Sequence, residues 1–338
     1  MKLTTQFMKI ISGLFCMLLL LAPLKALAQT KVVVVPLGDD AKPLKNIITV
    51  AKANGNFTDP RAAVNSITDA SASNPYLVVI GPGVYTITQG LMMKPYVDIV
   101  GSGENITKLT GAISTDSEPT SAIILGANNS TLSSLTVENT GEGDYSIALY
   151  NNFTSPKVSN VTATASGAGG VKYGVYNSNY SSPTMTSVTV TASGGGGSFG
   201  VYNSYSSPAM TDVTVTAVAG SSYGVYNESS SPTMTKVTAT ASGPSSYGIY
   251  NASSSPTMTD VTATASGASS YGIANSSSSP IIRRSTMKGD NSSLYTGGGT
   301  ATVSQSTLIG RADVVDTGTN KCVACDNGSG TALGANCQ

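Results

Sequence analysis

The chain has 338 residues, 18 basic and 18 acidic side chains, 36 glycines, and neither histidine nor tryptophan. Without histidine, Ser-His-Asp triads and His-ligated zinc sites are excluded. The densest basic cluster, Arg283-Arg284, is too short to track a phosphate backbone, which argues against nucleic acid as a partner.

In chain order, Lys2 and Lys9 precede the apolar run "IISGLFCMLLLLA", and "ALA" precedes Gln29. This predicts a secretory signal peptide over residues 1–28, cleaved near Ala28, and a secreted protein, extracellular or periplasmic. The apolar run is short for a bilayer, and nothing later approaches the ~20 apolar residues a span needs, so no membrane span is expected in the mature chain. Losing Lys2, Lys9 and Lys25 leaves 15 basic against 18 acidic side chains, a net of −3. Residues 29–45 read as an N-terminal extension.

From Ile48 the text runs "ITVAKANGNFTDPRAAVNSITDA", then "YLVVIGPGVYTI", then "KPYVDIVGSGENITKLTG". Asp59 as N-cap and Pro60 at the first helical position predict a short helix whose Ala63, Val64 and Ile67 cover an apolar end. This stretch, about Ile48 to Gly111, resembles the opening coils of pectin methylesterases and related members of the pectin-lyase-like superfamily. The resemblance implies a right-handed parallel β-helix.

The repeats come next. "YGVYN" or a close variant begins at Tyr173, Phe199, Tyr223, Tyr247 and Tyr271, in steps of 26, 24, 24 and 24 residues, and "IALYN" at Ile147 fits the same frame. Each unit holds three period-two runs (Y-G-V-Y-N, P-T-M-T and V-T-A-T-A) separated by Ser, Gly and Pro. Period two with Val, Tyr and Thr means strands. Three strands per unit make one coil of an all-β, parallel β-helix, each coil ~4.8 Å above the last. The β-helix is expected over 46–315, with repeats clearest in 145–280. These coils also resemble exported bacterial β-helix repeat proteins of unassigned activity.

Alternation assigns faces. Leu149, Val175, Val201, Val225, Ile249 and Ile273 point in, and by the same alternation so do Tyr173, Phe199, Tyr223, Tyr247 and Tyr271. Tyr150, Tyr176, Tyr202, Tyr226 and Tyr250 point out, a ring column able to stack on sugars. Asn151, Asn177, Asn203, Asn227, Asn251 and Asn275 form a structural amide ladder. Met185, Met210, Met234 and Met258 fill the core. In the third strand Thr162/Thr164, Thr189/Thr191, Thr214/Thr216, Thr238/Thr240 and Thr262/Thr264 point out, a grid ~6.7 Å by ~4.8 Å that resembles the ice-binding faces of β-helical antifreeze proteins. Ser187, Asp212, Lys236 and Asp260 follow one another at the corner before it, so neighbouring charges offset.

The tail, residues 316–338, carries Cys322, Cys325 and Cys337. A Cys322–Cys337 disulfide closes a loop and leaves Cys325 odd; Cys-x-x-Cys at 322–325 as a redox or metal pair is the alternative. The resemblance implies, for a pectin methylesterase, paired aspartates, an arginine and glutamines on the outer face of the first sheet. The corresponding positions hold Gly174, Tyr176 and their copies. No carboxylate stack for calcium is visible, Asp212 and Asp260 are two coils apart, and Asp313, Asp316, Arg283, Arg284, Lys288 and Asp290 read as a solvated rim. No catalytic residue, metal or cofactor is therefore expected. The reading is an exported, non-catalytic β-helix whose partner is an extracellular polysaccharide or cell surface. Ice binding is the alternative, and a pectin-active esterase or lyase the second alternative.

Overall fold

The computed structural model of the chain describes residues 46–315 and 317–338; the signal peptide expected at 1–28, the extension at 29–45 and Asp316 lie outside the described residues. The described residues wind into an all-β parallel β-solenoid of about 10 turns. Each turn gives its first strand to a 10-stranded sheet and its second and third strands to a 17-stranded sheet. Equivalent residues fall into columns: Leu149, Val175, Val201, Val225, Ile249 and Ile273 are paired in that order and are wholly buried. Fully burying each such side chain is worth about 1.5–3 kcal/mol, so the axial column is a main source of stability. Met185, Met210, Met234 and Met258 do the same from the second strand.

The second and third strands bend at one residue. In Thr184–Ser193 and its neighbours the two runs form one ten-residue element, and the residue at the bend is left out of the ladder. Its backbone is left-handed, with φ of 53° at Ser187, 53° at Asp212, 52° at Lys236, 55° at Asp260 and 47° at Arg284. Here the charges alternate down the corner. Lys236 Nζ lies 4.0 Å from Asp212 Oδ1, and the Arg284 fork holds both Asp260 oxygens at 2.9 and 3.0 Å.

Both ends of the described stack are covered. The helix Pro60–Ser66 is capped by the Asp59 side chain, which accepts from Arg61 N–H at 2.9 Å. Ala63, Val64 and Ile67 are buried in the core where the helix meets strands Asn46–Val50, Tyr76–Ile80 and Leu91–Met92. At the other end Cys322 and Cys337 are joined by a disulfide and Cys325 is free and buried. All three cysteines and Leu333 pack on the core. Cys322 N–H donates to Ala335 O at 2.7 Å, tying the tail to the final strand, Thr319–Val323. Among the described residues no helix is long and apolar enough to cross a membrane.

Candidate functional site

The first strand of each coil departs from simple alternation. In Gly197–Ser204, Ser198 is buried, Phe199 half-buried, Gly200 and Val201 both buried, Tyr202 half-buried and Asn203 buried. The ladder skips the glycine and pairs Phe199 with Tyr223 and Val201 with Val225. Two successive residues thus face inward, a one-residue bulge repeated in every coil. In the central coils glycine is required there, since a Cβ would lie 2.2 Å from Val190 Cγ1 at Gly174 and 2.1 Å from Val215 Cγ1 at Gly200; Ala148 and Ser293 hold the position in flanking coils.

The bulge corrects the inward assignment of Tyr173, Phe199, Tyr223, Tyr247 and Tyr271. Their rings lie outside, beside the Tyr150–Tyr250 column, and Tyr173 and Tyr150 belong to an apolar cluster separate from the core. Four successive coils therefore present two rings three residues apart: Tyr173–Tyr176 at 4.9 Å, Phe199–Tyr202 at 5.3 Å, Tyr223–Tyr226 at 5.1 Å and Tyr247–Tyr250 at 5.1 Å between centroids. A glycine inside a strand pattern is the sequence signal for this bulge.

Along the axis the rings cover one another's faces. Phe199–Tyr223 and Tyr223–Tyr247 stack at 4.8 and 5.0 Å with 4° between planes. Tyr226–Tyr250 stacks at 5.1 Å and 2°. Where the rings stack in parallel, from Phe199 to Tyr271 and from Tyr226 to Tyr250, they turn edges, and not faces, to the outside. Burial pushes the Tyr226 phenol up to about 12, with Glu228 adding to it. Burial raises Tyr173 and Tyr176 too, and Tyr202 further because its hydroxyl donates to Glu228 Oε2 at 2.5 Å.

Behind the rings runs the amide ladder. Asn151 Nδ2 donates to Asn177 Oδ1 at 2.8 Å, and the same 2.8 Å bond recurs from Asn177 through Asn203, Asn227 and Asn251 to Asn275. It ends on Tyr295 O and Thr296 Oγ1, both at 3.2 Å. All six asparagines are fully buried. The serines of "SSP" form two further ladders that run in opposite directions. Ser206 N–H donates to the Oγ of Ser230 in the following coil at 2.8 Å, whereas Ser231 N–H donates back to the Oγ of Ser207 at 2.9 Å. The turn's backbone donors are satisfied by the next coil in each direction.

In three successive coils the turn after the first strand holds an exposed ring: Phe153, Tyr180 and Tyr205, 63%, 77% and 55% exposed. Each has left-handed backbone, φ 55°, 64° and 50°; the position of Phe153 and Tyr205 is held by Asn179 in the coil between them and by Ser229, Ser253 and Ser277 at 48–50° in the following coils, and Tyr180 is an extra residue just after it. Left-handed backbone costs an L-residue roughly 1–2 kcal/mol. These rings gain little burial in return; the Phe153 and Tyr180 centroids lie 6.5 Å apart. Beside them Asn179 Nδ2 donates to Asn152 Oδ1 at 2.8 Å, and exposed Asn128 holds Ser155 N–H at 2.8 Å. The period-two pattern of the strands does not reveal this comb, because the turn's backbone conformation is not visible in it.

On the 17-stranded sheet the third-strand threonines are in register: Thr162, Thr189, Thr214, Thr238 and Thr262 in one column, Thr164, Thr191, Thr216, Thr240 and Thr264 in the next. All ten are exposed or half-buried. The second strand adds outward threonines that the sequence reading did not count, with Thr184, Thr233 and Thr257 in one column and Thr186, Thr211, Thr235 and Thr259 in another. Thr162 Oγ1 donates to Glu104 at 3.2 Å.

Structural comparison identifies the architecture. The A-module of Azotobacter vinelandii mannuronan C-5 epimerase AlgE4 is similar at a TM-score of 0.50 and 12% identity, covering 79% of this chain and 91% of that one. Vag8, solved as its complex with C1 inhibitor, is similar at 0.55 and 14%, covering 83% and 73%. Carrot pectin methylesterase matches at 0.42 and 13%, covering 86% of each chain. No protein-family model and none of the curated proteins matches. The fold is that of the pectin-lyase-like right-handed β-helices.

At this distance the likeness fixes the fold and leaves activity to the side chains. In this β-helix no group of three His, Cys, Asp or Glu that could hold a metal ion occurs among the described residues. The carboxylates named in the sequence reading are engaged apart from one another. Asp212 faces Lys236 and Asp260 faces Arg284, Asp313 pairs with Arg311 at 2.6 Å, and Asp290 accepts from Gly267 N–H at 3.0 Å. Asp316 lies outside the described residues. The one lysine within the first strands, Lys172, points inward, is fully buried and donates to Gly141 O at 2.9 Å.

Proposed function

We propose that the chain is an exported, non-catalytic β-helix that binds an extracellular glycan along its aromatic face. The observation that carries this reading is the exposed comb of Phe153, Tyr180 and Tyr205, held at left-handed turns, with serine in later coils where Phe153 and Tyr205 stand. Sugar rings dock on open aromatic faces, while buried, mutually stacked rings serve as a rigid platform. The Tyr150, Tyr176, Tyr202, Tyr226 and Tyr250 column takes the second role and offers phenol edges to sugar hydroxyls. Amides at Asn152 and Asn179 supply further hydrogen bonds at the comb's edge.

The test exploits the protein's own repeats. Phe153→Ser and Tyr205→Ser copy the residue that later coils carry, and Tyr180→Ser trims an exposed extra residue of its turn, so the fold is kept. On a glycan array the wild-type chain should bind, and the triple variant should lose at least about tenfold in affinity at unchanged melting temperature. Undiminished binding by the variant contradicts the reading.

A second reading rests on the threonine columns, five coils deep and now seen on two adjoining strands. Ice binding by this grid predicts thermal hysteresis that Thr214→Lys or Thr238→Lys abolishes; a freezing point indistinguishable from buffer ends it.

A further inference from the structure

Resting on the glycan reading above, we infer that the ligand is a neutral polysaccharide and that this face turns polyuronates away. The argument is one of charge. In the strands of the 10-stranded sheet the charged side chains are Lys172, Glu228 and Asp313. Lys172 is buried on the inner side and spends its ammonium on Gly141 O. Glu228 lies on the outer side, where its carboxylate accepts from Tyr202 at 2.5 Å and from Ser204 at 3.1 Å. Tyr205 of the comb donates its N–H to the Glu228 carbonyl at 3.0 Å, which ties that carboxylate to the comb's last turn.

At the upper end of the same face stands Glu118, close enough to act electrostatically on Tyr150, Tyr173 and Tyr176. At the lower end Asp313 is paired in register with Tyr295. Arg311 is matched, bonding Asp313 at 2.6 Å, and Lys157 belongs to the 17-stranded sheet. A polymer with a carboxylate on each sugar would meet the Glu118 and Glu228 carboxylates along the strip, Asp313 being neutralised by Arg311, and no outward cation within its strands. Recognition of such a chain calls for arginine or lysine in bidentate or point contact. A neutral chain meets aromatic faces, phenol edges and amides, which suit its C–H faces and hydroxyls.

Affinity electrophoresis of the full chain separates the outcomes. The gels contain xyloglucan, galactomannan or hydroxyethyl cellulose as neutral probes, and polygalacturonate or alginate as acidic ones, each at low and high salt. Retardation by at least one neutral polymer, little changed by salt, with none by the polyuronates, supports the inference. Retardation by a polyuronate above every neutral polymer overturns it and leaves the glycan reading standing. Retardation by none of the five overturns both. Glu228→Gln keeps an acceptor for both hydrogen bonds and removes the charge, and should let polyuronate retardation appear at low salt where the wild type shows none. An unchanged value contradicts the part assigned to this carboxylate.

Discussion

Asn227 shows how much one residue of the repeat carries. Its amide gives to Asn251 and its carbonyl takes from Asn203, both at 2.8 Å and fully buried. Asn227→Ala leaves two buried partners unmatched, and we expect a loss of about 1–3 kcal/mol in denaturant unfolding for each. Gly224→Ala tests the bulge, since its Cβ would meet Gly248 O at 2.5 Å; overpacking of this kind costs about 1–3 kcal/mol. The phenols set the alkaline limit. The ordinary tyrosine value is 10.0 and burial raises Tyr226 to about 12 in the folded chain. The unfolded chain ionises first, so the contribution is full below pH 10 and is lost as pH rises toward 12. Near-ultraviolet absorbance should show phenolate appearing late, together with unfolding. A titration complete near pH 10 with the fold intact would contradict the buried stack.

At the scale of the element, period-two runs identified the strands and the columns because identical side chains must pile up when coils stack. The aliphatic column at Val175, the outward threonines and the helix after Asp59 were legible for that reason. The facing of Tyr173 and its copies was not. Strict alternation places it inside, and a single glycine shifts the phase by one residue. The serine ladders escaped notice because the hydroxyl of Ser230 bonds a coil 24 residues away, a partner that a local pattern does not reveal. The tail offers a check on capping. The Cys322–Cys337 bond spans 15 residues, for which loop closure alone gives about 3 kcal/mol. Cys337→Ser should lower unfolding stability by up to that amount and loosen the last coil first. A variant as stable as wild type would show that the tail does not cap the stack.

On the scale of the whole molecule, stacking turns a sequence of small, uncharged residues into long, ordered surfaces. One is aromatic and edged with carboxylates, the other hydroxylated and edged with paired charges. Their axis is shared with enzymes and with Vag8, so the coils themselves do not choose an activity; the outward side chains do. Hydrogen–deuterium exchange with and without the best-binding neutral glycan tests the account most directly, because it reports which surface is covered. The account predicts protection at the turns 152–156, 178–182 and 204–207, with the 189–191, 214–216 and 238–240 strands unchanged. Protection confined to those threonine strands, or none at the three aromatic turns, would contradict it.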